Sequence, residues 1–160
     1  MTSFAAQVAQ APRAHDAARA PTRLLPAGLV GDAQGTPLSV GRAALRPAQV
    51  TPPPTILVAG TAMNAGKTEV AVRIIRGLRA AGLRVGAAKV TGTGAGGDLW
   101  RCRDAGALPV LDFTDAGHVS TAGLDTDELG VVVGTLLSHL GAGGVAVVAI
   151  AVPVGVLATL

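Results

Sequence analysis

Residues 55–68 read Thr55-Ile-Leu-Val-Ala-Gly60-Thr-Ala-Met-Asn-Ala-Gly66-Lys-Thr68. Ile56 to Ala59 is a short apolar run, as in a buried strand. A turn of small residues between Gly60 and Gly66 follows. Lys67-Thr68 then opens a segment with apolar residues at Val70, Ala71, Ile74, Ile75 and Leu78, which is helical spacing. Strand, small-residue loop, Gly-Lys-Thr and helix is the layout of a phosphate-binding loop. Small residues let backbone N–H groups face one point, and the helix N-terminus adds about half a positive charge there. The standard pattern has glycine where Thr61 stands, and Gly60 lies one residue earlier. The alternative is a plain strand-to-helix turn with a surface lysine. The phosphate reading makes Gly60, Thr61, Asn64, Ala65, Gly66, Lys67, Thr68 and Glu69 the candidate ligand-binding set. Lys67 would reach the outer phosphates and Thr68 would ligate Mg²⁺.

The whole chain has 160 residues, 49% of them hydrophobic and only 2% aromatic. That composition suits one main globular domain with an aliphatic core of small side chains. The net charge of +3 comes mostly from arginines scattered along the chain. No aromatic residues interleave with them for base stacking, which argues against nucleic acid as a partner. The single Cys102 excludes an internal disulfide and a cysteine metal cluster, and it fits a reducing cytoplasm. It reads as a small, partly buried helix residue. The N-terminus lacks a basic stretch followed by an apolar core, so no secretory signal is expected.

Against 11 arginines stand two lysines, Lys67 and Lys89. Lysine is a compact point charge and arginine a planar fork, so the two are not interchangeable at a site. One lysine lies in the phosphate loop, and the other becomes a candidate by association.

Working outward, residues 1–22 read as a flexible leader and residues 23–50 as a small β extension. In the extension, the runs Ala27–Val30 and Leu38–Val40 flank turn chemistry. Residues 51–54 form a stiff proline linker, and 55–160 form the main domain. Within that domain Gly82 is a natural helix stop. Leu83–Val90 predicts a second strand, Leu108–Phe113 a third and Val145–Val152 a fourth. Asp125–Leu140 predicts a helix with an acidic first turn, ended by Gly141. The expected class is α/β, a parallel sheet wrapped by helices with the β extension before it.

The loop Thr91-Gly-Thr-Gly-Ala-Gly-Gly-Asp98 follows the second strand. Ligands bind at such carboxyl ends in open α/β sheets. Thr91, Thr93, Asp98 and, after the third strand, Asp115 are therefore candidates to face a substrate. Asp112 and Asp115 equally fit a loop-capping role. Trp100 fits the core or a lid, with the core preferred. His118 is expected at the surface or hydrogen-bonded. Arg73, Arg76 and Arg79 are expected on a solvated face.

Gly60-Thr-Ala-Met-Asn-Ala-Gly-Lys-Thr68 resembles the Walker A loop of dethiobiotin synthetase-like P-loop proteins. Lys89 is similar to that group's second lysine. Lys89-Val-Thr-Gly-Thr-Gly-Ala-Gly-Gly-Asp98 and Leu111-Asp-Phe-Thr-Asp-Ala-Gly117 more closely resemble a largely uncharacterised P-loop family, some members of which are described as D-glutamate N-acetyltransferase-like. The resemblance covers roughly residues 22–150. It implies ATP with Mg²⁺ as ligand, Lys67 and Lys89 as catalytic residues, Thr68 as metal ligand, and ligase- or transferase-type chemistry on a small carboxylic or amino acid. Acetyl-CoA in the same cradle is the related alternative.

The departures are specific. Ala62 and Val90 replace an acid and a proline of dethiobiotin synthetases. Ala151 and Val154 stand where the fourth strand should end in acids, and no Asp, Glu, Lys or Arg follows Glu128. The expectation is therefore an incomplete or altered C-terminus, with a non-catalytic nucleotide-binding fragment as a further alternative. A tail-anchored helix at Val145–Leu160 is the less favoured reading of the apolar end, and a buried strand the preferred one. No membrane partner is expected, and a homo-oligomer is possible.

Overall fold

The computed structural model describes residues 29–51, 53–60, 65–92, 94, 96–142 and, for the backbone, 147–153. The expected leader at 1–22 lies outside these residues. The chain divides into two compact units, after Ser39. In the described part of the first, Gly31 and Pro37 form one antiparallel bridge and Leu38 N–H donates to the Val30 carbonyl. The Asp32 carboxylate closes the turn by accepting from the N–H groups of Gln34 and Thr36. This is a minimal hairpin, with no full strand among its described residues.

The second unit holds a four-stranded parallel sheet. Its elements are β1 (Thr55–Gly60), α1 (Lys67–Ala80), β2 (Val85–Lys89), α2 (Gly97–Asp104), β3 (Val110–Asp112), α3 (Thr126–Ala142) and β4 (Val147–Pro153). The strand order is β1-β4-β2-β3. The fourth apolar run is thus a central strand, paired with β1 on one side and β2 on the other. No helix among the described residues is long and apolar enough to cross a membrane.

Side-chain alternation along β2 divides the core. Val85 and Ala87 pack with Val72, Ile75, Ala105 and Val110, beneath α1 and α2. Ala88, with Val90 just beyond the strand, packs with Phe113, Val132, Leu136 and Leu140, beneath α3. This period of two places helices on both faces of the sheet. The small side chains of β2 let both layers come close, and residues 85–88 are all buried.

The buried face of α1 is Ala71, Val72 and Ile75. Val70, expected in the apolar stripe, is 49% exposed. The helix is rotated so that Val72 takes its place. Trp100, expected in the core, is 66% exposed and lies against Gly96. Cys102 is partly buried on α2 as expected. Burial, with the Asp98 charge, pushes its thiol pKa up, against a smaller opposing pull from Arg101. The thiol stays protonated at neutral pH.

Helix ends follow local chemistry. Asp125 and Glu128 exchange side chain-to-backbone bonds of 2.9 Å, a capping box that starts α3. After α1, Gly82 at φ 82° donates to the Arg79 carbonyl and Leu83 N–H donates to the Leu78 carbonyl, a complete Schellman stop. Gly106 and Ala107 repeat it after α2, through the carbonyls of Arg103 and Cys102. Gly82→Ala meets open space but needs a left-handed backbone. It should destabilise the chain by about 1–2 kcal/mol, read as a lower urea midpoint with an unchanged slope.

Gly141 does not end α3, which runs one residue further. A Cβ there would sit 3.1 Å from the Thr51 carbonyl oxygen, so glycine admits the segment that leads into β1. That segment belongs to the second unit and not to the β extension. It opens with a 3-10 turn, Val40–Ala43. Leu45 N–H donates to the Asp115 carbonyl, Ala48 N–H to Ser138 Oγ, and His139 Nε2 bonds the Arg46 carbonyl at 2.7 Å.

Candidate functional site

Parallel pairing brings the carboxyl ends of β1, β4 and β2 to one edge. Gly60 pairs with Pro153, and Ala151 with both Val58 and Lys89. The two lysine-bearing regions therefore lie on either side of β4, with β1 and β2 about 10 Å apart at normal strand spacing.

Gly66 has φ 82°, which turns the chain into α1, and no side chain caps the helix. Ala65 and Gly66 are exposed, and Lys67, Thr68 and Glu69 are half-buried. The Lys67 stem folds back over the end of β1. A Cβ on Gly60 would lie 2.8 Å from Lys67 Cγ and 3.0 Å from Cδ. Glycine at 60 is thus what lets the lysine stem lie there.

Lys89 is held in a similar way. Its side chain is 15% exposed and its Nζ lies 2.8 Å from Asp98 Oδ2. A Cβ on Gly92, where φ is 124°, would lie 3.2 Å from Lys89 Cε. The ammonium also stands 5.9 Å from the centroid of the buried Phe113 ring, within cation–π range. Both lysines of the chain therefore lie against a glycine.

Asp98 joins the two halves. Thr68 Oγ1 donates to Asp98 Oδ1 at 3.0 Å, while Oδ2 takes Lys89. Partial burial pushes the Asp98 pKa up, but the hydrogen bond and charge of Lys89, the Thr68 bond and the Arg101 charge outweigh it. The carboxyl is held below its ordinary value. A group depressed in this way contributes stability above its unfolded pKa, near 4, and loses it as pH falls through the folded value. Asp98→Asn should therefore cost stability at pH 7, and the difference should shrink at pH 3. Urea melts at the two pH values check this; equal differences at both would show that the Lys89 pair contributes nothing.

The remaining candidates are placed differently. Thr61, Asn64 and Thr93 lie outside the described residues. Thr91 is half-buried just after β2. Glu69 bonds Arg73 on its own helix, at 3.3 Å, and Arg101 on α2. Its carboxylate ties the two helices. Asp115 Oδ2 accepts from Asp112 N–H at 2.8 Å, and Asp112 Oδ1 accepts from the N–H and hydroxyl of Thr114. These two aspartates close the turn after β3, the loop-capping role.

Three contributors were not singled out from sequence. Gly92 cradles Lys89, and Phe113 lies near its ammonium. Thr121 pins the glycine loop: its Oγ1 accepts from Gly92 N–H at 2.9 Å, and its own N–H returns to the Gly92 carbonyl. Gly92 carried a local signal in the glycine run. Thr121 carried none, since its partner is 29 residues away.

Comparison of the chain with protein-family models, curated proteins and solved structures gives no match.

Proposed function

We propose that the carboxyl edge of the sheet binds a phosphorylated ligand, ATP with Mg²⁺, in a P-loop-like cradle. The activity proposed is ligase- or transferase-type chemistry on a small carboxylic or amino acid. The observation that carries the reading is the chain Thr68–Asp98–Lys89, set beside a Lys67 stem that lies across Gly60. Lys67, Lys89 and Asp98, beside an uncapped helix start whose Glu69 is already paired with Arg73 and Arg101, favour a polyanion.

The donor chemistry fits Mg²⁺. This ion is usually held by one or two carboxylates with substrate phosphates, not by an all-protein cage. Thr68 Oγ1 and the Asp98 carboxylate are the oxygens that would hold it, and the ion would neutralise phosphate charge. Asp98 thereby stands in for the acid missing at Ala151. The amides around Gly66 and Lys67 hold and orient the phosphates. Lys89 would neutralise charge on a group being transferred. One observation favours the non-catalytic alternative: Ala151, in register with Lys89 between the two lysine-bearing regions, bears no carboxylate.

Binding is tested by melting with Mg·ATP and, separately, with acetyl-CoA. A ligand at 100 times its Kd should stabilise the chain by about 2.7 kcal/mol. Stabilisation by Mg·ATP that is weaker without Mg²⁺ and weaker in Asp98→Asn supports the proposal. Stabilisation by acetyl-CoA alone would move the assignment to an acyl donor, and no effect from either would sink both. Phosphate release measured on the same sample separates an enzyme from a binder.

A further inference from the structure

At the opposite end of β2, about 13 Å from Lys89 along the strand, Arg79, Arg84 and Arg103 line an open cleft of about 360 Å³ with Val85, Gly106, Ala107 and Leu108. The geometry points to a second anion site there, for a small phosphate-class ligand bound independently of the carboxyl edge. Arg79 and Arg103 sit in the last turns of α1 and α2. Each taken singly suits the negative end of a helix. That does not explain why both converge, with Arg84, on one cleft with no Asp or Glu among its described lining residues.

The site is partly preorganised. Arg79 Nη1 donates to the Leu83 carbonyl at 3.0 Å. Its stem lies across Gly106, where φ is 101° and a Cβ would meet Arg79 Cγ at 3.1 Å. The Schellman stop after α2 fixes Gly106 and so sets the floor beneath the fork. Leu108, 71% exposed, forms an apolar rim. Guanidinium forks match phosphate oxygens in pairs, which a lysine cannot do. The cleft is at the small end of ligand sites, so the occupant is a compact phosphate or diphosphate group.

The test uses the full ¹⁵N-labelled chain titrated with inorganic pyrophosphate, without Mg²⁺ and at low salt. The amide resonances of Gly106, Ala107 and Leu108 should shift saturably. Arg103→Gln should weaken this response about tenfold or more, with Arg103→Lys recovering only part. Lys67→Met, at the other edge, should leave it unchanged. Arg84→Gln serves as the second variant if Arg103→Gln fails to fold. No saturable shift, or unchanged affinity in the folded arginine variant, would overturn the site. Loss of the shifts in Lys67→Met would assign them to the carboxyl edge. Citrate binding as tightly as pyrophosphate would overturn the phosphate assignment.

Discussion

Lys67→Met is expected to weaken Mg·ATP binding by about 10- to 150-fold, the worth of one charge-assisted bond to a buried anion. The ligand-dependent rise in melting temperature should largely disappear. Methionine keeps an unbranched stem to lie across Gly60 and removes only the ammonium. Urea melts of the ligand-free variant read any loss of fold apart from the loss of binding. Gly60→Ala should reach the same loss from the other side, because its Cβ would displace the stem at Lys67 Cγ. As both changes act through one contact, their effects should not add. Calorimetric titration of the two single variants and the double variant checks this. Full additivity, or undiminished binding in Lys67→Met, would remove the lysine from the ligand site.

The second large effect is on stability. Phe113→Ala should destabilise the chain by about 3–5 kcal/mol, a large share of the roughly 5–15 kcal/mol that holds a domain together. Phe113 is fully buried in a cluster with Val90, Val132, Leu136 and Leu140. An aliphatic core made of short side chains has few atoms to move into the space its ring leaves. Phe113→Leu, closer in volume, should cost clearly less. The aromatic face is also near Lys89, so Phe113→Leu should weaken Mg·ATP binding more than its stability loss alone would. Urea melts and titrations on the leucine variant test the two roles apart. A loss below about 1 kcal/mol for Phe113→Ala would contradict the packing described.

Much of the architecture was legible from local chemistry. Apolar runs became β1 to β4, Lys67 opened a helix, and Gly82 stopped it. The acidic turn at Asp125–Glu128 began α3. These are short-range effects: a strand's apolar run, a cap and a left-handed glycine act within a few residues. The misplacements were of facing and contact. Val70 and Trp100 are apolar residues on helices, yet the helices turn them outward because Val72, Ile75 and Leu99 already fill the space above β2 and β3. Gly141 has the local character of a helix stop, but its lack of a side chain serves the close approach of the segment at Thr51.

Residues 55–68 by themselves determined a strand, a glycine turn and a helix that begins at Lys67, because backbone geometry and side-chain size set those features locally. The contrast of 11 arginines with two lysines over the whole chain singled out Lys67 and Lys89. Only the tertiary structure decided that β4 runs between β1 and β2, that each lysine lies against a glycine, and that Asp98 takes both Thr68 and Lys89. Those relations join positions 30 residues apart in the Thr68–Asp98 bond and 93 apart in the pairing of Thr55 with Val148, and sequence spacing carries no record of which side chains a folded sheet edge will bring together.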